Sequence, residues 1–166
     1  MGITEFLATV KKHQRVLIDT NIAIYFLENN PVFGQGAGEL FQMVEAGKIR
    51  AYLSVISVTE LLVKPLRAGN EELVEKIMLF INYFPNLEVI DLTRDIAVRA
   101  AEVRAATNLK VPDAILVATA ATTDCALIGN DRECAKKNLA VPYIYLEEFL
   151  TSPAVPPPGA GFPAPT

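Results

Sequence analysis

The chain has 166 residues, with 15 Lys and Arg, 19 Asp and Glu, one His and two Cys. Its length suits one domain, and 51% hydrophobic residues exclude global disorder. Two Cys cannot staple a fold of this size, one His and two Cys cannot build a Cys/His zinc site of about four ligands, and a net charge of −4 lacks the basic character usual in nucleic-acid binders.

No charged-then-apolar leader opens the sequence. No apolar run approaches the roughly 20 residues that a membrane helix needs. The expectation is a soluble, cytoplasmic protein with no membrane partner.

Arg15-Val16-Leu17-Ile18 is a short apolar run ending at Asp19 and predicts a buried strand. Residues 20–28 follow at helical spacing, with Ile22, Ala23, Phe26 and Leu27 on one face, and Asn29-Asn30-Pro31 stops them. Gly34-Gln35-Gly36-Ala37-Gly38 predicts a loop, followed by a helix over residues 39–46 that ends at Gly47. Residues 51–55 predict a second strand. Ser57 opens a helix through Leu66, with Pro65 disturbing its last turn, and residues 71–83 form a further amphipathic helix.

Residues 88–92 predict a third strand, and Thr93 caps a long helix reaching Thr107. Pro112 sits at a first-turn position, and residues 112–122 are apolar nearly all round, so this helix is central. A fourth strand over residues 126–129, a short helix over 133–138 and a last strand over 143–146 complete the pattern. Short strands alternating with helices imply an α/β layer fold with a largely parallel sheet of about five strands. The last sixteen residues hold six of the 11 prolines and predict an extended tail, so the folded domain spans residues 1–150 and the tail 151–166.

Ligands of parallel sheets gather beyond the carboxyl ends of the strands. Asp19 and Asp131 each follow a predicted strand there, Glu60 lies one turn past another, and Asp113 opens the most apolar helix. Carboxylates on the rim of a core are costly unless a cation neutralises them. Oxygen ligands without nearby His or Cys suit Mg²⁺ or Mn²⁺. Each acid also has a purely structural role open to it. Asp19 and Asp131 can cap helices, Ser57-Val58-Thr59-Glu60 matches a capping box, and Asp113 can answer a helix dipole. The two roles are compatible, because helix starts at one sheet edge aim several carboxylates at one space.

Leu17-Ile18-Asp19-Thr20-Asn21, Ser57-Val58-Thr59-Glu60-Leu61-Leu62, residues 112–120 (PDAILVATA) and Ile128-Gly129-Asn130-Asp131 resemble, in this order, the PIN-domain ribonucleases. The nearest resemblance within that family is to the VapC-type toxins of prokaryotic toxin–antitoxin pairs, and it covers residues 15–147. It implies a three-layer sandwich of a parallel sheet between helices. It implies an Mg²⁺- or Mn²⁺-dependent endoribonuclease whose metal ligands and catalytic acids are Asp19, Glu60, Asp113 and Asp131. Thr20, Asn21, Thr59 and Asn130 match supporting positions less specifically. The partners implied are an RNA substrate, an antitoxin protein and a second copy of the chain. Leu73, Ile77, Phe80, Ile81 and Phe84 form a broad apolar stripe, part of which is expected to pack on the core, and the resemblance implies that helices in this region can form that homodimer.

Setting the four acids aside leaves 15 acids against 15 bases, which weakens the objection from charge. Arg132, Lys136, Lys137, Arg104 and Lys110 lie near the Asp131 and Asp113 segments and are candidates for phosphate contacts. Two other functions compete. One is an RNA-processing nuclease without an antitoxin. The other is a non-catalytic binding module whose acids only cap helices. Gly34 to Gly38 has the glycines of a dinucleotide loop but follows a helix rather than a strand, which excludes that reading. His13 precedes the first strand in a charged segment and is not expected to be catalytic, and nothing marks Cys125 or Cys134 as reactive.

Overall fold

The computed structural model describes residues 2–150. The Pro-rich segment at 151–166 lies outside the described residues. In chain order the elements are α1 (Ile3–Lys11), β1 (Arg15–Ile18), α2 (Thr20–Leu27), α3 (Gly34–Glu45), β2 (Arg50–Ser54), α4 (Val55–Arg67), α5 (Glu71–Tyr83), β3 (Leu87–Ile90), α6 (Arg94–Thr107), α7 (Val111–Thr122), β4 (Ala126–Gly129), α8 (Arg132–Lys136), β5 (Tyr143–Tyr145) and α9 (Leu146–Leu150).

The five strands form one parallel sheet in the order β3-β2-β1-β4-β5. β1 is central, and its Val16, Leu17 and Ile18 are fully buried because helices cover both faces. The strand period of two sends side chains alternately to the two cores. Val16, Ile18, Ala51, Leu53, Ile128 and Ile144 join one core with Phe6, Ile22, Leu40, Phe41 and Phe80. Leu17, Tyr52 and Leu127 join the other with Leu116, Val117 and Ala120 of α7. The architecture is therefore the expected three-layer α/β sandwich. No helix among the described residues is long and apolar enough to cross a membrane.

Four local expectations need correction. Gly34 to Gly38 is the first part of α3, not a loop. Gly34 and Gly36 are buried there, and a Cβ would meet the Asn29 backbone at 3.0 Å or Leu150 at 3.3 Å, so these glycines serve close packing. α1 is a helix that the periodicity leaves unassigned; Phe6 and Val10, one turn apart, anchor it in the core. α4 starts at Val55, with Ser54 as its cap, accepting from the Ile56 N–H at 3.3 Å. Ser57 is therefore a buried interior residue and forms no capping box with Glu60. β5 ends at Tyr145, and Leu146 begins α9. Pro65 lies inside α4 and has no N–H to give the Leu61 carbonyl, yet the helix runs on to Arg67.

Candidate active site

Each of the four acids sits at a helix beginning or first turns near the carboxyl ends of β1, β2 and β4. Asp19 follows β1 directly, and its N–H still donates to the Ile128 carbonyl of β4 at 2.9 Å, so the sheet fixes its backbone. It is the N-terminal flanking residue of α2 but makes no side-chain cap bond. Asp113 lies in the first turn of α7, whose cap position is Lys110. Glu60 lies on the exposed side of α4. Asp131 caps α8, its Oδ1 accepting from the Glu133 N–H at 2.7 Å. Capping thus accounts for one of the four acids.

The acids share one electrostatic environment. Asp19 is 8% exposed. Burial, then Asp113, then Glu60 push its pKa from 3.8 up to about 7; Asp131 adds to this, and the Thr20 backbone opposes it. Asp113 is raised in the same sense, by burial first and then by Asp131 and Glu60, while Lys110 opposes. Carboxylate oxygens of Asp113 and Asp131 and the Cys134 Sγ lie within 4.8 Å of one another. The ion pairs among the described residues are Arg50–Glu88, Lys64–Glu28 and Lys136–Glu133, none with these acids.

The supporting positions divide. The Thr20 hydroxyl lies 2.9 Å from Ser57 Oγ and 3.2 Å from Glu60 Oε1. Asn130 Oδ1 accepts from the Glu147 N–H at 2.8 Å, and its Nδ2 donates to the Tyr25 hydroxyl at 3.2 Å. Asn21 and Thr59 are exposed and make no side-chain hydrogen bond among the described residues. His13, before β1, lies at the amino end of the sheet, away from the acids. Of the basic candidates, Arg104 is committed to the Leu109 carbonyl at 2.5 Å and Lys136 pairs with Glu133.

Sequence reasoning missed three residues here. Ser57 reads as a helix cap, and its inward direction follows only from the start of α4 at Val55. Cys134 is buried on the short helix after Asp131, and burial, Asp113 and Asp131 push its thiol up to about 12. Tyr143 accepts from the Asp131 N–H at 3.0 Å. Its signal would have been strand alternation in β5, which is too short to show a period.

A PIN domain profile matches residues 16–139, and the chain belongs to the PIN-domain family, a family of nuclease domains. No curated protein matches it by sequence. A toxin–antitoxin complex from Klebsiella pneumoniae is similar at 27% identity and TM-score 0.56, over 73% of this chain and 91% of that one. VapBC2 from Rickettsia felis, bound to a promoter DNA fragment, is similar in fold at 17% identity and TM-score 0.62, over 78% and 98%. VapC20 from Mycobacterium tuberculosis, a toxin that cleaves the sarcin-ricin loop, is similar in fold at 15% identity and TM-score 0.60, over 76% and 98%.

Proposed function

We propose that the chain is a divalent-metal-dependent endoribonuclease and the toxin of a toxin–antitoxin pair. Asp19, Glu60, Asp113 and Asp131 are its metal ligands and catalytic acids. The observation that carries this reading is Asp19, a carboxylate buried among acids with no cationic side chain among the described residues paired to it. Such a group is costly to ionise in the folded chain, and a bound cation removes the cost.

The four proposed donors are carboxylate oxygens, which fit a hard divalent ion, although the Cys134 Sγ beside Asp113 and Asp131 adds a soft atom to the group. Mg²⁺ or Mn²⁺, when bound, offsets the negative charge of a phosphodiester and lowers the pKa of the attacking water. The chain's own residues do the rest. The sheet holds the Asp19 backbone, Thr20 and Ser57 steady Glu60, and the Glu133 N–H orients the Asp131 carboxylate. Arg132, Lys137 and Lys110 are exposed and close in sequence to Asp131 or Asp113, and suit phosphate contacts.

RNA as the substrate and an antitoxin as the partner are supported by the likeness to toxin–antitoxin proteins. A cavity of about 80 Å³ beside Glu60, lined by Ile24, Leu27, Leu61, Pro65 and Ile77, suits an apolar side chain of an inhibitory segment. A basic residue on that segment would then pair with the acids. Incubating the purified protein with total cellular RNA, with Mn²⁺ or with EDTA, and mapping the new ends tests the reading. Discrete Mn²⁺-dependent cuts are expected. Cleavage that persists in EDTA would overturn the metal-dependent mechanism.

A further inference from the structure

The corner between β4 and α8 carries Asp131, and it is held from strand β5. The Tyr143 hydroxyl accepts from the Asp131 N–H at 3.0 Å and lies 3.3 Å from the Asp131 carbonyl, to which its proton can be donated. Both bonds go to the main chain and leave the carboxylate to the acid cluster. The carboxylate is aimed separately, through the Glu133 N–H at 2.7 Å.

Tyr143 reaches this corner only because position 129 has no side chain. β5 runs parallel to β4, with Tyr143 opposite Leu127 and Tyr145 opposite Gly129. The phenol has to cross Gly129 to reach residue 131. A Cβ at Gly129 would lie 2.5 Å from the Tyr143 hydroxyl oxygen and 3.1 Å from two ring carbons. The first distance is too short for real atoms and the other two are tight, so the glycine and the tyrosine form one device. The backbone conformation of Gly129 does not demand glycine, since it is not among the positive-φ residues.

We infer that Tyr143, admitted by Gly129, is a positioning residue that fixes Asp131 as a metal ligand. The inference rests on the proposed role of Asp131 in the acid cluster. Outer partners that orient a ligand typically change metal affinity by about 10- to 100-fold when removed. Tyr143→Phe keeps the ring and its packing and removes both bonds.

The test is calorimetric Mn²⁺ binding to the full chain, with thermal melting in EDTA alongside. Tyr143→Phe is expected to bind Mn²⁺ about tenfold more weakly, with an EDTA melting temperature lowered by only about 2–4 °C, the cost of the lost main-chain hydrogen bonds. RNA cleavage at limiting Mn²⁺ should fall with KM for RNA unchanged, and high Mn²⁺ should recover it. Gly129→Ala, by displacing the phenol, should weaken Mn²⁺ binding similarly, and should add little in the Tyr143→Phe background. If Gly129→Ala does not fold, Tyr143→Phe decides alone. Unchanged Mn²⁺ affinity in Tyr143→Phe, beside an unaltered chain that binds Mn²⁺, overturns the inference and leaves the metal reading standing. An unaltered chain that binds no Mn²⁺ overturns both. A fall in affinity that only tracks lost folding in EDTA marks Tyr143 as structural and overturns the positioning role.

Discussion

Thr20 and Glu60 stand 40 positions apart, and the Thr20 hydroxyl lies 3.2 Å from Glu60 Oε1. The same hydroxyl lies 2.9 Å from Ser57 Oγ, one turn before Glu60 on α4. Thr20 thereby ties the beginning of α2, next to Asp19, to the helix that carries Glu60. Thr20 and Ser57 are both buried. Thr20→Val keeps the shape and leaves Ser57 short of a partner, at an expected cost of about 1–2 kcal/mol. Thr20→Ser should recover most of it. Urea unfolding in EDTA measures both, and a Thr20→Val chain as stable as the unaltered one would remove this link from the site.

Asp113→Asn preserves size and most hydrogen bonding but removes a charge from the tight group formed with Asp131 and Cys134. RNA cleavage is expected to fall at least about a hundredfold, since metal supplies several kcal/mol of transition-state stabilisation. Single-turnover rates on a mapped RNA give the factor. Retained activity would take Asp113 out of the catalytic group.

The sheet was legible because its strands are buried on both faces and therefore read as short apolar runs, as in Val16-Leu17-Ile18 and Ala126-Leu127-Ile128. The acids were legible for a related reason. In a parallel sheet, the residues just past such runs share one edge. What stayed hidden depended on a helix start or on a contact across strands. Placing the beginning of α4 three residues late turned Ser57 into a cap. Gly34 and Gly36 read as loop formers because glycine is a poor helix residue, whereas packing against Asn29 and Leu150 is what selects it. Tyr143 needs a glycine at 129, two positions beyond its own partner Leu127, to reach Asp131, and no local pattern encodes such a pair.

A homodimer through α5 would use a different face from the stripe expected in the sequence. Ile77 and Phe80 are buried, and Leu73, Ile81 and Phe84 pack against the same core. Leu79 and Tyr83 lie one turn apart on the other side, 54% and 77% exposed, with Met78 beside them. Such a patch fits an interface. If the homodimer implied by the resemblance forms, it should use this side, and Leu79→Glu with Tyr83→Glu should convert it to an 18.1 kDa monomer with little change in melting temperature. Sedimentation at micromolar concentration distinguishes the species. A dimer that survives both substitutions places its interface elsewhere.

The last prediction follows from the charge of Asp19. Burial and the neighbouring acids raise its pKa from 3.8 to about 7, so the metal-free folded chain holds a proton that the unfolded chain releases near pH 4. A raised folded pKa gives stability that is fully present below the unfolded value and is lost as pH rises through the folded one. In EDTA the folding free energy should therefore decline between about pH 4 and pH 7, by on the order of 4 kcal/mol from this group. Asp113 is raised in the same sense and steepens the decline. Asp19→Asn removes the principal titration, so its stability in EDTA should be flatter across that window. It should equal or exceed that of the unaltered chain above pH 7. Mn²⁺ at about a hundred times its dissociation constant should return about 2.7 kcal/mol to the unaltered chain, and much less to Asp19→Asn. Urea unfolding of both proteins at a series of pH values, with EDTA and with Mn²⁺, provides the four curves. If stability in EDTA rises from pH 4 to pH 7 in both proteins alike, Asp19 is ionised in the folded metal-free chain. The electrostatic argument for a cation at this site then fails.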